Sequence, residues 1–228
     1  MDAAKRAAGR QATEFISNGM IVGLGTGSTV WYVLERLAER IENERLQIRG
    51  IATSVDTEEK SKALGIPIMS LDDAEAIDLT IDGADEADPH FNLIKGLGGA
   101  LLREKVAASV SREMVIVVDR NKLVDRLGAK TPVPVEVLPF AVGPVTRRLS
   151  ALGAAPVLRR SASGAPFRTD NGNRIIDAKF TEIKAPLELE DAIRRIIGVI
   201  ECGLFVNLAH RIVVGNADGT VEILKRLR

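Results

Sequence analysis

Four carboxylates stand within seven residues in Asp82-Gly83-Ala84-Asp85-Glu86-Ala87-Asp88, directly after the apolar run Leu79-Thr80-Ile81. Crowded carboxylates repel, so at least one should hold its proton more tightly than usual, as acid–base work requires. Two other readings stay open for this segment. Asp82 and Asp85 satisfy the backbone N–H groups of a loop or helix start, or they hold Mg²⁺ through hard oxygen ligands. A lysine and a glycine run follow in Lys95-Gly96-Leu97-Gly98-Gly99, and then Leu101 to Val110 reads as a helix with Glu104 in its first turn. Lys95 is suited to neutralising a developing oxyanion. A glutamate in a first helical turn can equally serve only to complement the helix dipole.

Upstream, Gly23-Leu24-Gly25-Thr26-Gly27-Ser28-Thr29 joins an apolar run to a helical stretch. Glycines let the backbone approach a ligand, and N–H groups at a helix start attract an anion. A tight turn with no ligand is the plainer alternative. The loop lacks the Gly-Lys-Ser/Thr of a Walker sequence, and Ser28 stands where a dinucleotide fingerprint needs Gly or Ala. Asp56 is the one acid placed to serve as a ribose ligand after the next strand. Lys122, after the run ending at Asp119, adds a cation, although a lone lysine there is commonly a solvated surface group. A base, an oxyanion-stabilising cation and an anion anchor together form the set that aldose–ketose isomerisation through an ene-diolate needs.

These residues must be placed by secondary structure. Residues 2–17 read as a helix capped by Asp2 and ended by Asn18-Gly19. Strands are expected at Met20–Leu24, Ile48–Ala52, Ile66–Met69, Leu79–Ile81 and Met114–Val118. Helices are expected at Val30–Glu42 and from Asp56, with Glu59 completing a capping box, to Leu64. That alternation predicts an α/β fold, a Rossmann-like parallel sheet with helices on both faces, and it places the candidate residues on loops at strand ends. Thr131 to Pro139 holds three prolines in nine residues and reads as an extended connection. A helix near Val145–Leu152, β-like pieces at Pro156–Leu158 and Ile175–Phe180, and a helix near Glu188–Ile197 suggest a smaller α+β domain. The expected division is 1–129 plus about 203–228 for the α/β domain, and 130–202 for the small one.

With 228 residues, 46% of them hydrophobic, a sizeable core is available. Lys+Arg and Asp+Glu both number 31. A net charge of zero argues against broad nucleic-acid binding, which needs a basic field. Cys202 is the only cysteine, and with His90 and His210 far apart there is no zinc-like spacing. Cys202 is expected as a small core residue and His210 as a surface histidine. Residues 1–16 do not read as a secretory signal, and no apolar run suits a membrane span, so a cytoplasmic protein is expected.

The ordered set Gly25-Thr26-Gly27-Ser28-Thr29, Asp82-Gly83-Ala84-Asp85-Glu86, Lys95-Gly96-Leu97-Gly98, Leu102-Arg103-Glu104-Lys105, Pro134-Val135-Glu136-Val137 and Thr169-Asp170-Asn171-Gly172-Asn173 resembles the type A ribose-5-phosphate isomerases over nearly the whole chain. The resemblance implies interconversion of ribose 5-phosphate and ribulose 5-phosphate in the non-oxidative pentose phosphate pathway. It implies a homodimer or homotetramer, no metal and no organic cofactor. By matching position, Glu104 is the base, Asp82 assists ring opening, and Asp85 and Lys95 bind hydroxyls and stabilise the ene-diolate. Thr26, Gly27, Ser28, Thr29, Lys122 and Lys5 are implied around the phosphate, with Gly83, Ala84, Gly96, Leu97 and Gly98 lining the substrate. Leu97 departs from the family's Lys-Gly-Gly-Gly; it strains the loop if that position needs a positive φ, and otherwise adds bulk. Two other functions compete: a non-catalytic sugar-phosphate-sensing domain of the same fold, and acyl or CoA transfer with a glutamate nucleophile. Retention of Glu104 with both aspartates speaks against the sensor.

Overall fold

The computed structural model describes residues 2–226. The first part of the chain runs α1 (Asp2–Ala12), β1 (Ile21–Leu24), α2 (Ser28–Glu44), β2 (Arg49–Ala52), α3 (Val55–Ala63), β3 (Leu79–Gly83), β4 (Glu86–Ala87) and β5 (Leu93–Ile94). It continues through α4 (Leu101–Ser109), β6 (Met114–Asp119), β7 (Val133–Val137), α5 (Val142–Ala151), β8 (Ala154–Leu158) and β9 (Arg174–Phe180). The last elements are α6 (Pro186–Arg194), β10 (Val199–Cys202), β11 (Leu204–Phe205), β12 (Arg211–Gly215) and β13 (Val221–Lys225). They form two compact units, one of residues 1–84, 103–123 and 208–228, the other of 85–102 and 124–207.

The first unit holds a six-stranded sheet in the order β13-β12-β6-β3-β1-β2. Every pair in it is parallel except β12 with β13. Apolar residues at helical spacing on α2 (Val30, Val33, Leu34, Leu37) pack with Ala8 and Ala12 of α1 onto Val22, Leu24, Ile81, Val115 and Val117. The opposite face carries Ile51 and Ile77 packed with Ala107 of α4. Helices thus cover both faces, as an α/β parallel sheet requires. Arg10 of α1 donates to Glu39 of α2 at 2.9 Å, and that guanidinium holds the Glu39 carboxyl below the ordinary carboxylate range.

The second unit contains an antiparallel sheet, β10-β7-β9-β8, and a small sheet, β11-β5-β4. Val133, Val135 and Val137 of β7 pack with Val145 and Leu149 of α5 and Ile193 of α6. The second unit is therefore the expected α+β type. Its keystone is Glu86, fully buried. Its carboxylate accepts the N–H groups of Gly128, Lys130 and Thr131 at 2.7, 2.6 and 2.6 Å, and the Thr131 hydroxyl at 3.0 Å.

Four local expectations are corrected. The first helix ends at Ala12 and gives way to a 3₁₀ turn, Thr13–Phe15, rather than reaching residue 17. Ile66–Met69 forms only an isolated bridge between Ile68 and Gly50; Pro67 has no N–H with which to extend a ladder. Ser54, not Asp56, caps α3 by accepting the Thr57 N–H, while Asp56 pairs with Lys60 four residues on, in solvent. The proline-rich stretch is not a connection but an interior strand, β7, buried along its length. Pro134 is tolerated because it lies just beyond the β10 pairing, where its carbonyl accepts the Gly203 N–H at 2.7 Å and no donor is needed.

Removing the Glu86 carboxylate strands four donors in the interior. We expect Glu86→Ala to lower unfolding stability by about 3–5 kcal/mol, read from urea unfolding. A loss below about 1 kcal/mol would mean that water replaces the carboxylate without cost.

Candidate functional site

The predicted site residues fall into two groups, one in each unit. In the first unit, β1 ends at Leu24 and the chain turns through Gly25, Thr26 and Gly27 into α2. Gly25 permits a close approach, since a Cβ there would lie 2.1 Å from Asp82 Oδ1. That oxygen accepts the N–H groups of Thr26 at 3.0 Å and Gly83 at 2.7 Å. The β1 loop is thereby fastened to the end of β3, with Asp82 itself fully buried. Gly27 has φ +120° and precedes Ser28, where α2 begins without a side-chain cap. The first N–H groups of this 17-residue helix are thus presented at an exposed turn, an arrangement that attracts anions. Lys5 of α1 brings a cation to it, donating to Ser28 Oγ at 2.8 Å.

The Thr26 hydroxyl turns inward. It meets the hydroxyls of Thr53, Ser54 and Thr57 at 3.0, 2.8 and 3.2 Å, and Thr57 in turn donates to the Gly25 carbonyl at 2.8 Å. This hydroxyl network was missed in the sequence; its only trace there is the clustering of hydroxylic residues in Thr53-Ser54-Val55-Asp56-Thr57. Glu104 lies in the first turn of α4 and is only 4% exposed. A carboxylate there purely to complement a dipole would normally remain in water. Lys122 ends a short 3₁₀ turn after β6, capped by Asp119, and is half-buried.

In the second unit, Asp85 is half-buried, and its Oδ2 accepts the Leu97 N–H at 2.9 Å. Lys95 is 2% exposed, with its ammonium 5.3 Å from the centre of the Phe205 ring. A buried lysine keeps its charge only where compensating groups surround it. Gly96 and Gly99 take φ values of +106° and +88°, whereas Leu97 does not have positive φ. The leucine therefore adds exposed bulk rather than strain. Arg159, which sequence reasoning passed over, donates through Nη1 to the carbonyls of both Gly96 and Leu97, at 2.9 Å each.

Of the remaining acids in the 82–88 run, Glu86 is committed to the 128–131 turn. Asp88 accepts the N–H groups of His90 and Asn92 at 2.9 Å each. Among the described residues, Glu190, Glu201 and Cys202 gather potential metal-ligating atoms within 4.8 Å of one another. There Glu201 Oε1 accepts the Cys202 N–H at 2.8 Å. Cys202 is a buried core residue, as expected. His210 is exposed, and its Nδ1 accepts the Met114 N–H at 3.1 Å. No helix among the described residues is long and apolar enough to cross a membrane.

Residues 49–219 match the family model for ribose 5-phosphate isomerase A (phosphoriboisomerase A). A ribose-5-phosphate isomerase A of Bifidobacterium adolescentis is 47% identical over 218 residues, covering 96% of this chain and 94% of the relative. One from Thermosynechococcus vestitus is 48% identical over 222 residues, with the same coverage. Among solved structures, a D-ribose-5-phosphate isomerase in complex with phospho-erythronic acid superposes with a TM-score of 0.95 at 43% identity, covering 98% of each chain. The Plasmodium falciparum ribose 5-phosphate isomerase gives a TM-score of 0.96 at 40% identity and covers both chains completely. Acid-rich strand end, anion-attracting helix start and buried glutamate thus lie on a backbone shared end to end with these enzymes, and the chain belongs to the ribose 5-phosphate isomerase A family.

Proposed function

We propose that this isomerase interconverts D-ribose 5-phosphate and D-ribulose 5-phosphate through an ene-diolate, with Glu104 as the base. In the forward direction Glu104 removes the C2 proton of the open-chain aldose. The C–H electron pair forms the C1=C2 double bond as O1 gains charge. Transfer of the O2 proton to O1, as the C2=O bond forms, and return of the abstracted proton from Glu104 to C1 leave the ketose. The observation that carries this assignment is the near-complete burial of Glu104 at a helix start, where a solvated carboxylate would suffice for any dipole role.

Asp82 assists opening of the furanose ring in this reading, with Gly83 and Ala84 beside it. Asp85 and Lys95, with the backbone of Gly96, Leu97 and Gly98, bind the hydroxyls and steady the charge on the ene-diolate oxygens. Thr26, Gly27, Ser28 and Thr29 cradle the phosphate, aided by Lys5 and Lys122. Thr26 serves this cradle by holding the turn in shape, since Asp82 accepts its N–H and its hydroxyl meets those of Thr53, Ser54 and Thr57. The phospho-erythronic acid complex of a relative supports the scheme, because a carboxylate places two oxygens much as an ene-diolate does. The same reading carries self-association as a homodimer or homotetramer, a cytoplasmic location and a place in the non-oxidative pentose phosphate pathway.

The test is ribulose 5-phosphate formation in buffer containing EDTA. Glu104→Gln should lower kcat by about 10²–10⁴-fold with little change in ligand affinity; full activity in that variant would remove Glu104 from the role of base. Lys122→Ala should act differently, raising KM several-fold through a weaker hold on the phosphate. A fall in kcat alone would show that Lys122 serves the chemistry instead.

A further inference from the structure

The loop that carries Lys95 has little intrinsic reason to adopt one shape. It holds three glycines in five residues, two of them at positive φ, and glycine gives up more conformational freedom than any other residue when fixed. The peptide joining Gly96 to Leu97 is nevertheless gripped at both ends. Its N–H, from Leu97, is accepted by Asp85 Oδ2 at 2.9 Å. Its carbonyl, from Gly96, accepts Arg159 Nη1 at 2.9 Å, and the same nitrogen reaches the Leu97 carbonyl at 2.9 Å. A peptide held by its donor and its acceptor together cannot flip without losing both bonds.

Arg159 is itself fixed on every side. Its Nε and Nη2 donate to the two carboxylate oxygens of Asp177, at 2.9 and 2.5 Å. The pair is largely shielded, with side-chain exposures of 11% and 22%, so solvent screens it less than a surface pair. The guanidinium lies 5.7 Å from the centre of the Phe167 ring, the same ring that leaves no room for a Cβ at Gly99. The Arg159 backbone is bonded at both ends too, its N–H to Ile175 O at 2.8 Å and its carbonyl to Phe167 N at 2.9 Å.

We propose that Arg159 is a positioning residue for the isomerisation: by locking the Gly96–Leu97 peptide it fixes Asp85, which grips that peptide, and Lys95, which precedes it. The inference rests on the reading that Asp85 and Lys95 act on the sugar. Only a guanidinium fits the task, because one planar fork engages a carboxylate with one edge and two carbonyls with the other. An ammonium has neither the reach nor the shape to hold all three.

Two variants and two readouts test this. Arg159→Lys keeps the charge and loses the fork; Arg159→Ala removes both and leaves space for added methylguanidinium. The first readout, amide exchange at Leu97, does not depend on activity. It should quicken by about tenfold or more in both variants as the clamped peptide is released. The second is steady-state isomerisation, where kcat should fall roughly 10–100-fold, the scale of small misplacements near reacting atoms. KM should move less than about threefold, since the phosphate anchor is untouched. Millimolar methylguanidinium should restore part of the kcat of Arg159→Ala and none of Arg159→Lys. Unchanged exchange at Leu97, unchanged kcat in Arg159→Lys, or a rise in KM alone would each overturn the proposal. Slow Arg159 variants beside a fully active Glu104→Gln would instead leave the clamp standing and remove the base.

Discussion

One oxygen of Asp82 occupies the space that any side chain at residue 25 would need. From there it holds the N–H groups of Thr26 and Gly83 together. Much of the first unit depends on this contact. The N–H of Gly25 reaches the carbonyl of Ile81 at 2.9 Å, so β1 stays paired with β3 through its own last residue, Leu24. The chain then leaves β1 already turned into α2, presenting that helix's first N–H groups without a cap. The Asp82 carboxylate, to which we assign ring opening, and the uncapped helix start, to which we assign the phosphate, are therefore fixed by the same few atoms. Their relative position is set during folding rather than during binding, which is what preorganisation requires.

The crowded acids illustrate how one composition serves two purposes. Glu86 and Asp88 turn their carboxylates to the backbone of their own unit. Glu86 gathers the 128–131 turn, and Asp88 closes the loop through Asn92. Asp82 and Asp85 each give one oxygen to backbone N–H groups as well. The structural and chemical readings of these two aspartates are thus compatible. A carboxylate has two oxygens, and anchoring one of them aims the other.

What the sequence made legible follows the range of the interactions. Parallel strands alternating with helices reveal themselves by apolar runs and glycine-bearing turns, all local signals, and those elements stand close to where the periodicity puts them. Strand β7 hid because its three neighbouring prolines normally argue against an interior strand. Only the end of the β10 pairing, some 65 residues later in the chain, explains why Pro134 fits. The Ser54 cap hid behind Asp56, since both residue types cap helices and the choice depends on the backbone. Glu86 and Arg159 illustrate the same limit at the site. The turn held by Glu86 begins 42 residues away and the Gly96 carbonyl held by Arg159 lies 63 residues away, and no local pattern distinguishes a buried anchor from a solvated charge. The chain also crosses between units around residues 85 and 102, at the acidic run and just after the glycine run, whose residue types speak for chemistry as readily as for a unit boundary.

Leucine at position 97 shows how unequal the positions of a glycine-rich loop are. Gly96 has φ +106° and a Cβ there would meet Leu101 at 2.8 Å; Gly99 has φ +88° and abuts Phe167. Both the backbone and the space demand glycine at these two. Gly98 has neither constraint, and Leu97 sits at ordinary φ with its side chain 41% exposed. The peptide before Leu97 engages its surroundings only through N–H and carbonyl groups, which every residue except proline provides. A side chain at 97 therefore leaves the grip of Asp85 and Arg159 intact while narrowing the conformations open to the unfolded loop, an effect worth about 0.4–1 kcal/mol where no strain opposes it. Leucine at this position is a side chain that the backbone geometry admits and chain entropy favours.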